Sequence, residues 1–485
     1  MELHRLTLTS LRSLLDGRDI SALELADAHI ERLEAVHQRT HALAVRRYDE
    51  ARREARAADR LIARGEGGPL TGIPCTIKEF IGVKDLPQTG GIKAYAKRIA
   101  TKDAPVTARI RQAGGIILAT TNVPEGGLWM ECDNTVYGVT RNPWDPKRSP
   151  GGSSGGEAVA IASGGAVFGI GSDIGGSIRI PAGMCGALGH KPSGGLVPTT
   201  GHFPSSGPGL ASLLSLGPFA RCVDDLEAIL GIISGPDGLC PAAKNMALRD
   251  SRTVNISQLR VLRLDTSFPR IRPVMKHAVD RVCAALAERG ATVIPYTVPS
   301  FSRTLEIWGA LLDELSDQPY AVTLGGGKPI NVGIEILRYC LGRRQHTPAA
   351  LLMTAIESLT GVIPSHVKKM ATLGRRLRLE LNEALGDDGV LLFPPYTSPA
   401  PKLYAPLARP LDGACTPLFN VCENAVTVVP VDQFHGLPVC IQIIAARGAD
   451  HIALGTARFV EKAFGGWKLA PATYAEAMST VRGLH

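Results

Sequence analysis

The sequence predicts an α/β protein with a large mixed sheet as its core and helices on both faces. Three observations carry this. Short apolar runs with strand character alternate with stretches of helical periodicity, which is the pattern of a sheet covered by helices. The 485 residues contain no internal repeat and no low-complexity linker, so one large unit (1–485) is expected rather than a string of small domains. Hydrophobic residues make up 45% and charged residues 20%, the balance of a globular chain with a sizeable core and not of a disordered one.

The elements follow in order. Ser21 and Glu24 form a capping box. Behind it Leu23, Ala26, Ile30 and Leu33 recur at helical spacing, and a second helix is predicted over 45–63. Residues 1–65 therefore read as a helical part. Residues 66–235 read as the core carrying the chemistry. It holds a buried strand over 72–78, a helix over 103–113 and a strand over 115–120. An aperiodic Pro/Gly/Ser stretch follows over 142–156, then a helix opening over 157–163 and a second glycine-rich turn over 169–177. Residues 236–388 are predicted to be a mostly helical insertion that shapes the substrate pocket, with short strands over 260–264 and 292–295. Residues 389–485 return to the sheet with strands over 389–394, 426–430 and 437–443 and a helix over 450–464.

Charge and cysteine content exclude several function classes. The net charge of +8 is modest for this length. The basic residues are scattered in short knots such as Arg343-Arg344 and Arg375-Arg376, with no basic arm or basic-aromatic strip, so no nucleic-acid partner is expected. The ten cysteines include no C-x-x-C pair and read as reduced core residues of a cytoplasmic protein. The N-terminus lacks the apolar region of a signal peptide. The longest weakly apolar stretch, 158–170, is too short and too glycine-broken to span a bilayer, so no membrane span is predicted.

Two glycine-rich segments and one lysine are the candidates for chemistry. In Ser149-Pro-Gly-Gly-Ser153-Ser154-Gly-Gly-Glu157 two serines stand between glycine pairs ahead of a helix, where backbone can approach a ligand and free N–H donors are available. Gly151-x-Ser153-x-Gly155 matches a nucleophile elbow, but no strand precedes it. The P-loop and dinucleotide patterns both fail. In Asp173-Ile174-Gly175-Gly176-Ser177-Ile-Arg179 a serine follows two glycines, so its hydroxyl can be exposed and the turn's N–H groups can converge on one oxygen. The other reading is a loop with a structural serine. A serine nucleophile needs a base. His190 is nearby in sequence, but nothing couples it to Ser177. Lys78 ends the run Ile73-Pro-Cys-Thr-Ile-Lys78, and its burial would shift it toward the neutral form that accepts a proton. A structural ion pair is the alternative for Lys78.

These three pieces, in this order, resemble the amidase signature hydrolases. The resemblance covers roughly residues 8–235 and 389–465. It includes Ser149 to Glu157, Gly171-Ser-Asp-Ile-Gly-Gly-Ser-Ile-Arg-Ile-Pro181, Cys185-Gly and Lys191-Pro-Ser, flanked by Thr121-Asn122, Arg141-Asn-Pro-Trp-Asp145 and Gly217-Pro-Phe-Ala-Arg221. It implies the amidase signature fold and hydrolysis of a small-molecule carboxylic amide without metal or cofactor. Ser177 is then the nucleophile, Ser153 the proton relay and Lys78 the base. The N–H groups of Ile174, Gly175, Gly176 and Ser177 form the oxyanion hole. Ser154, Asp173 and Arg179 are supports, and Gly152–Ser153 is a cis peptide.

The stretch Met130 to Gly138 and Phe464-Gly-Gly-Trp467 are similar to the branch acting on fatty-acid, aryl or other simple amides. Two alternatives stand beside this reading: the glutaminase subunit of a tRNA-dependent amidotransferase, and a catalytically silent amidase-fold binding protein. A homodimer is compatible with all three.

Overall fold

The computed structural model of the chain describes residues 2–205, 207–360, 364–473 and 476. Its strands, in chain order, are β1 (Leu43–Arg46), β2 (Pro74–Lys78), β3 (Ile116–Thr121), β4 (Asp133–Asn134), β5 (Gly138–Val139), β6 (Phe168–Asp173) and β7 (Leu188–Lys191). They continue with β8 (Ser215–Ala220), β9 (Arg260–Leu264), β10 (Thr292–Tyr296), β11 (Gly389–Phe393), β12 (Ala425–Phe434) and β13 (Leu437–Ala445). Among the described residues, eleven of them form one sheet in the order β1-β3-β2-β6-β8-β7-β12-β13-β11-β9-β10, while β4 and β5 pair separately. The sheet is mixed: β3, β2 and β6 run parallel, as do β11, β9 and β10, and the centre is antiparallel.

Every residue of β2, β3, β6 and β13 is buried. Successive side chains of a strand point to opposite faces, so burial throughout means that both faces are covered. This is why β2, β3 and β13 read as largely apolar runs. The capping box is formed: Ser21 Oγ accepts from Glu24 N–H at 3.0 Å, and Glu24 Oε2 accepts from Ser21 N–H at 2.8 Å. The helix Ala22–Thr40 that it opens buries Leu25, Ile30 and Leu33, each contributing about 1.5–3 kcal/mol of hydrophobic stabilisation. The C-terminal helix Asp450–Phe464 stops at Gly465 in the left-handed region and lies against β12.

Several elements differ from the sequence expectation. Residues 169–173 are not a turn but the end of β6. Glycines stand in this strand because neighbours press on its backbone: a Cβ on Gly169 would lie 1.9 Å from Glu157 Oε2, and one on Gly171 2.5 Å from the Phe219 ring. The helix expected from residue 45 begins at Tyr48, because Leu43–Arg46 pairs with β3 at the sheet edge. β7 and β8, with their glycine, lysine and proline, gave no strand pattern yet lie near the sheet centre. By contrast, the short strands expected within 236–388 are present as β9 and β10; both join the main sheet, and a helix of the same stretch, Pro273–Glu288, packs against β13. The cysteines are all free, but Cys340 is exposed rather than in the core. No described helix is long and apolar enough to cross a membrane. Of the predicted terminal parts, residues 1, 474, 475 and 477–485 lie outside the described residues.

Candidate active site

β2 and β6 are parallel neighbours with Ile77 opposite Ile170, so their carboxyl ends meet at one edge of the sheet. Open α/β sheets bind ligands at such ends. Lys78, the last residue of β2, is fully buried there. Its Nζ lies 2.7 Å from Ser153 Oγ, 2.9 Å from Ser172 Oγ and 3.2 Å from the Ser172 carbonyl. Burial pushes the Lys78 amine down to about 7, against the weaker opposing pull of Cys132, Asp173 and Glu157. Burial also pushes Glu157 up to about 8 and the Cys132 thiol up to about 12. Near neutral pH neither is the anion that would hold Lys78 charged, and Asp173 is committed elsewhere.

Ser153 and Ser154 stand at the entrance of the helix Gly155–Ala162, and the Gly152–Ser153 peptide is cis. Ser154 N–H donates to the Ser177 carbonyl at 3.1 Å, tying the two glycine-rich segments together. Relative exposure runs 0% at Lys78, 3% at Ser153 and 8% at Ser177. Of the three, Ser177 is therefore the one most open to a bound molecule.

The segment between Asp173 and Ser177 is held by side chains from distant parts of the chain. Trp308 Nε1 donates to the Ile174 carbonyl at 2.8 Å, and Thr416 Oγ1 donates to the Gly175 carbonyl at 2.7 Å. In a trans peptide the following N–H points opposite to the carbonyl. The N–H groups of Gly175 and Gly176 are thus directed away from Trp308 and Thr416. Gly176 N–H does not stay open, as the four-donor expectation required. It donates to Asp173 Oδ1 at 2.8 Å, because the carboxylate folds back over its own turn. Among the described residues, the N–H groups of Ile174, Gly175 and Ser177 have no protein acceptor. Gly176 sits at φ 126°, and a Cβ there would lie 2.1 Å from Thr416 Oγ1, so the position requires glycine.

Asp173 and Arg179 are a wholly buried ion pair, joined at 2.9 and 3.0 Å. Burial alone would raise the Asp173 carboxyl, but the Arg179 guanidinium, Lys191 and Asn420 outweigh it and hold the group below the usual carboxylate range. Arg179 also donates to the Thr416 carbonyl at 2.8 Å and to Asn420 Oδ1. Asn420 returns a bond to Asp173 Oδ1 at 2.9 Å. His190 is part of another cluster, with Asp450 at 3.1 Å and Thr427 at 2.9 Å.

The structure therefore gathers Lys78, Ser153, Ser154, Asp173, Ile174, Gly175, Gly176, Ser177 and Arg179 at one edge. Sequence reasoning missed Ser172, Trp308, Thr416 and Asn420. Ser172 adjoins the signature run and could have been flagged by its place at a strand end. The other three had no local signal. Among the described residues, no group of three or more His, Cys, Asp or Glu is gathered to hold a metal ion.

A serine hydroxyl beside a buried, deprotonatable lysine and a glycine turn with free N–H groups is an arrangement suited to acyl transfer. Comparison with known proteins specifies the class. The sequence profile of the Amidase family matches residues 24–454. Fatty-acid amide hydrolase 2-B of Danio rerio is 35% identical over 473 residues, covering 93% of this chain and 88% of that protein. The A subunit of glutamyl-tRNA(Gln) amidotransferase from Roseiflexus castenholzii is 31% identical over 460 residues, covering 91% and 92%. A solved 6-aminohexanoate cyclic dimer hydrolase superposes with a TM-score of 0.80 at 26% identity, covering 96% of this chain and 98% of that one. The chain belongs to the amidase family, and it is an amide-hydrolysing enzyme.

Proposed function

We propose that the chain hydrolyses a carboxylic amide through a serine acyl-enzyme, with Ser177 as nucleophile, Ser153 as relay and Lys78 as base. The observation that carries this reading is the 2.7 Å contact between the buried Lys78 Nζ and Ser153 Oγ. Neutral Lys78 takes the Ser153 proton as Ser153 takes that of Ser177, and Ser177 Oγ bonds to the amide carbon. The developing oxyanion is met by the N–H groups of Ile174, Gly175 and Ser177, while Gly176 N–H, held by Asp173, shapes the turn. The proton returns along the same path to the amide nitrogen as the C–N bond breaks, releasing amine or ammonia. Water then attacks the acyl-enzyme, gives its proton to the relay, and the acid leaves with Ser177 restored.

The similarity to a fatty-acid amide hydrolase favours a simple apolar acyl amide as substrate. The similarity to the amidotransferase protein supports a second reading, an ammonia-supplying component of a larger complex. Turnover by the isolated chain on simple amides favours the first; activity only with partner subunits and glutamine favours the second. The mechanism is tested by intact mass after fluorophosphonate treatment. One adduct is expected on the wild type, none on Ser177→Ala and slow formation on Lys78→Ala. An adduct or ordinary turnover retained by Ser177→Ala overturns it.

A further inference from the structure

A histidine that takes no part in the mechanism above reaches Lys78 through one hydroxyl. His202 Nε2 lies 2.9 Å from Ser172 Oγ, and its Nδ1 lies 3.0 Å from the Pro204 carbonyl. A carbonyl only accepts, so Nδ1 must carry the proton. Burial pushes this imidazole down to about 3, with the Lys78 charge acting in the same direction, so the ring is neutral at working pH. Nε2 is then a lone pair, and the Ser172 hydroxyl is its donor. With its one proton spent there, Ser172 Oγ can only accept from Lys78 Nζ, 2.9 Å away.

The consequence falls on Lys78. A neutral amine has two N–H bonds and one lone pair. Its three neighbours are Ser172 Oγ, the Ser172 carbonyl and Ser153 Oγ. The first two only accept, and they use both N–H bonds. The lone pair is left for Ser153, the direction proton transfer requires. We propose that His202 is a positioning residue that acts through the Ser172 hydroxyl to aim the Lys78 lone pair at Ser153. This rests on the serine–serine–lysine reading and adds a residue to it. The other ionisable groups facing Lys78 are Cys132, Asp173 and Glu157, and none of them contacts Ser172 Oγ. The Phe80 ring lies beside both partners, 4.8 Å from Lys78 Nζ and 5.5 Å from the His202 ring.

Without the Nε2 acceptor the Ser172 proton is free to turn toward Lys78. It then caps the lone pair that Ser153 needs. It also favours the neutral amine and deprives the protonated one of a polarised acceptor, so the lysine titrates lower. The test uses purified full-length His202→Leu, His202→Gln, Ser172→Ala and the Ser172→Ala/His202→Leu double variant, with Ser177→Ala as reference. Turnover of decanoyl p-nitroanilide and fluorophosphonate labelling rate are both followed across pH.

For His202→Leu, kcat should fall roughly 10–100-fold, the penalty of a misaimed reacting group, with KM within about twofold of wild type. The acid midpoint of kcat/KM should move to lower pH. His202→Gln, whose Oε1 accepts from Ser172 while its amide donates to Pro204, should recover most of the rate. The double variant should be no slower than Ser172→Ala. Wild-type kcat and midpoint in His202→Leu, equal loss in the Leu and Gln variants, or multiplying effects in the double variant would each overturn the proposal. Where Ser177→Ala is silent, those results sink the role of His202 alone. Where Ser177→Ala remains active, the underlying mechanism falls with it.

Discussion

Replacing Lys78 with methionine should make the protein more stable and nearly inactive. In the unfolded chain the amine holds its proton up to its ordinary value of 10.5, whereas burial brings it down to about 7 in the fold. Each pH interval of that difference is about 1.4 kcal/mol, so at pH 7 keeping this side chain buried costs about 4–5 kcal/mol. Methionine removes the cost while filling similar space. It also removes the donor that serves Ser172, worth about 1–3 kcal/mol. The net expectation at pH 7 is a gain of about 1–4 kcal/mol.

The sign with pH follows from proton uptake. Between about 7 and 10.5 the unfolded wild type holds a proton that the folded one lacks, so wild-type stability rises with pH across this window and the variant's does not. By pH 9 about 2–3 kcal/mol of the variant's advantage should be gone. Urea unfolding followed by tryptophan fluorescence at pH 7 and pH 9 measures both values, and amide turnover should fall about 10²–10⁴-fold. A variant less stable than wild type at pH 7, or an advantage equal at the two pH values, would refute the reasoning.

Three further outcomes are expected. The pH profile of kcat/KM should be half-maximal near pH 7, about a tenth at pH 6 and level by pH 8, because the amine must be neutral to act; a rate still climbing tenfold per unit above pH 9 would mark an ordinary exposed lysine instead. Gly176→Ala should lower kcat about 10²–10³-fold with the fold retained, since a Cβ at φ 126° meets Thr416 and disturbs the donor turn; an unchanged kcat would show that the turn tolerates the shift. Arg179→Met should destabilise the protein by about 3–5 kcal/mol by leaving the Asp173 carboxylate buried without its partner, measured by denaturant midpoint.

The parts of the site that were legible in the sequence are those built from contiguous backbone. The runs around Ser153 and Ser177 carry their geometry locally, in glycines that permit close approach and in the start of a helix. Lys78 was legible because an apolar strand ending in a cation predicts a buried charge. Trp308, Thr416 and Asn420 were not, because their bonds reach 134, 241 and 247 positions along the chain and their own neighbourhoods read as ordinary helix and loop. The fold shows the same division. β2, β3, β11 and β13 announce themselves as apolar runs, whereas β6 hides behind glycines that its neighbours demand and β7 behind a histidine and a lysine satisfied by partners elsewhere.

The clamp on the 174–176 turn bears on how the enzyme is made. A ribosome delivers Lys78, Ser153 and Ser177 early, but Thr416 lies 237 positions after Arg179. At about 5–20 residues per second, roughly 10–50 s separate the emergence of Ser177 from that of Thr416. Through that interval the 174–176 segment is without the Thr416 bond to the Gly175 carbonyl, and under the proposed mechanism the nascent chain is expected to stay inactive until Thr416 has been made.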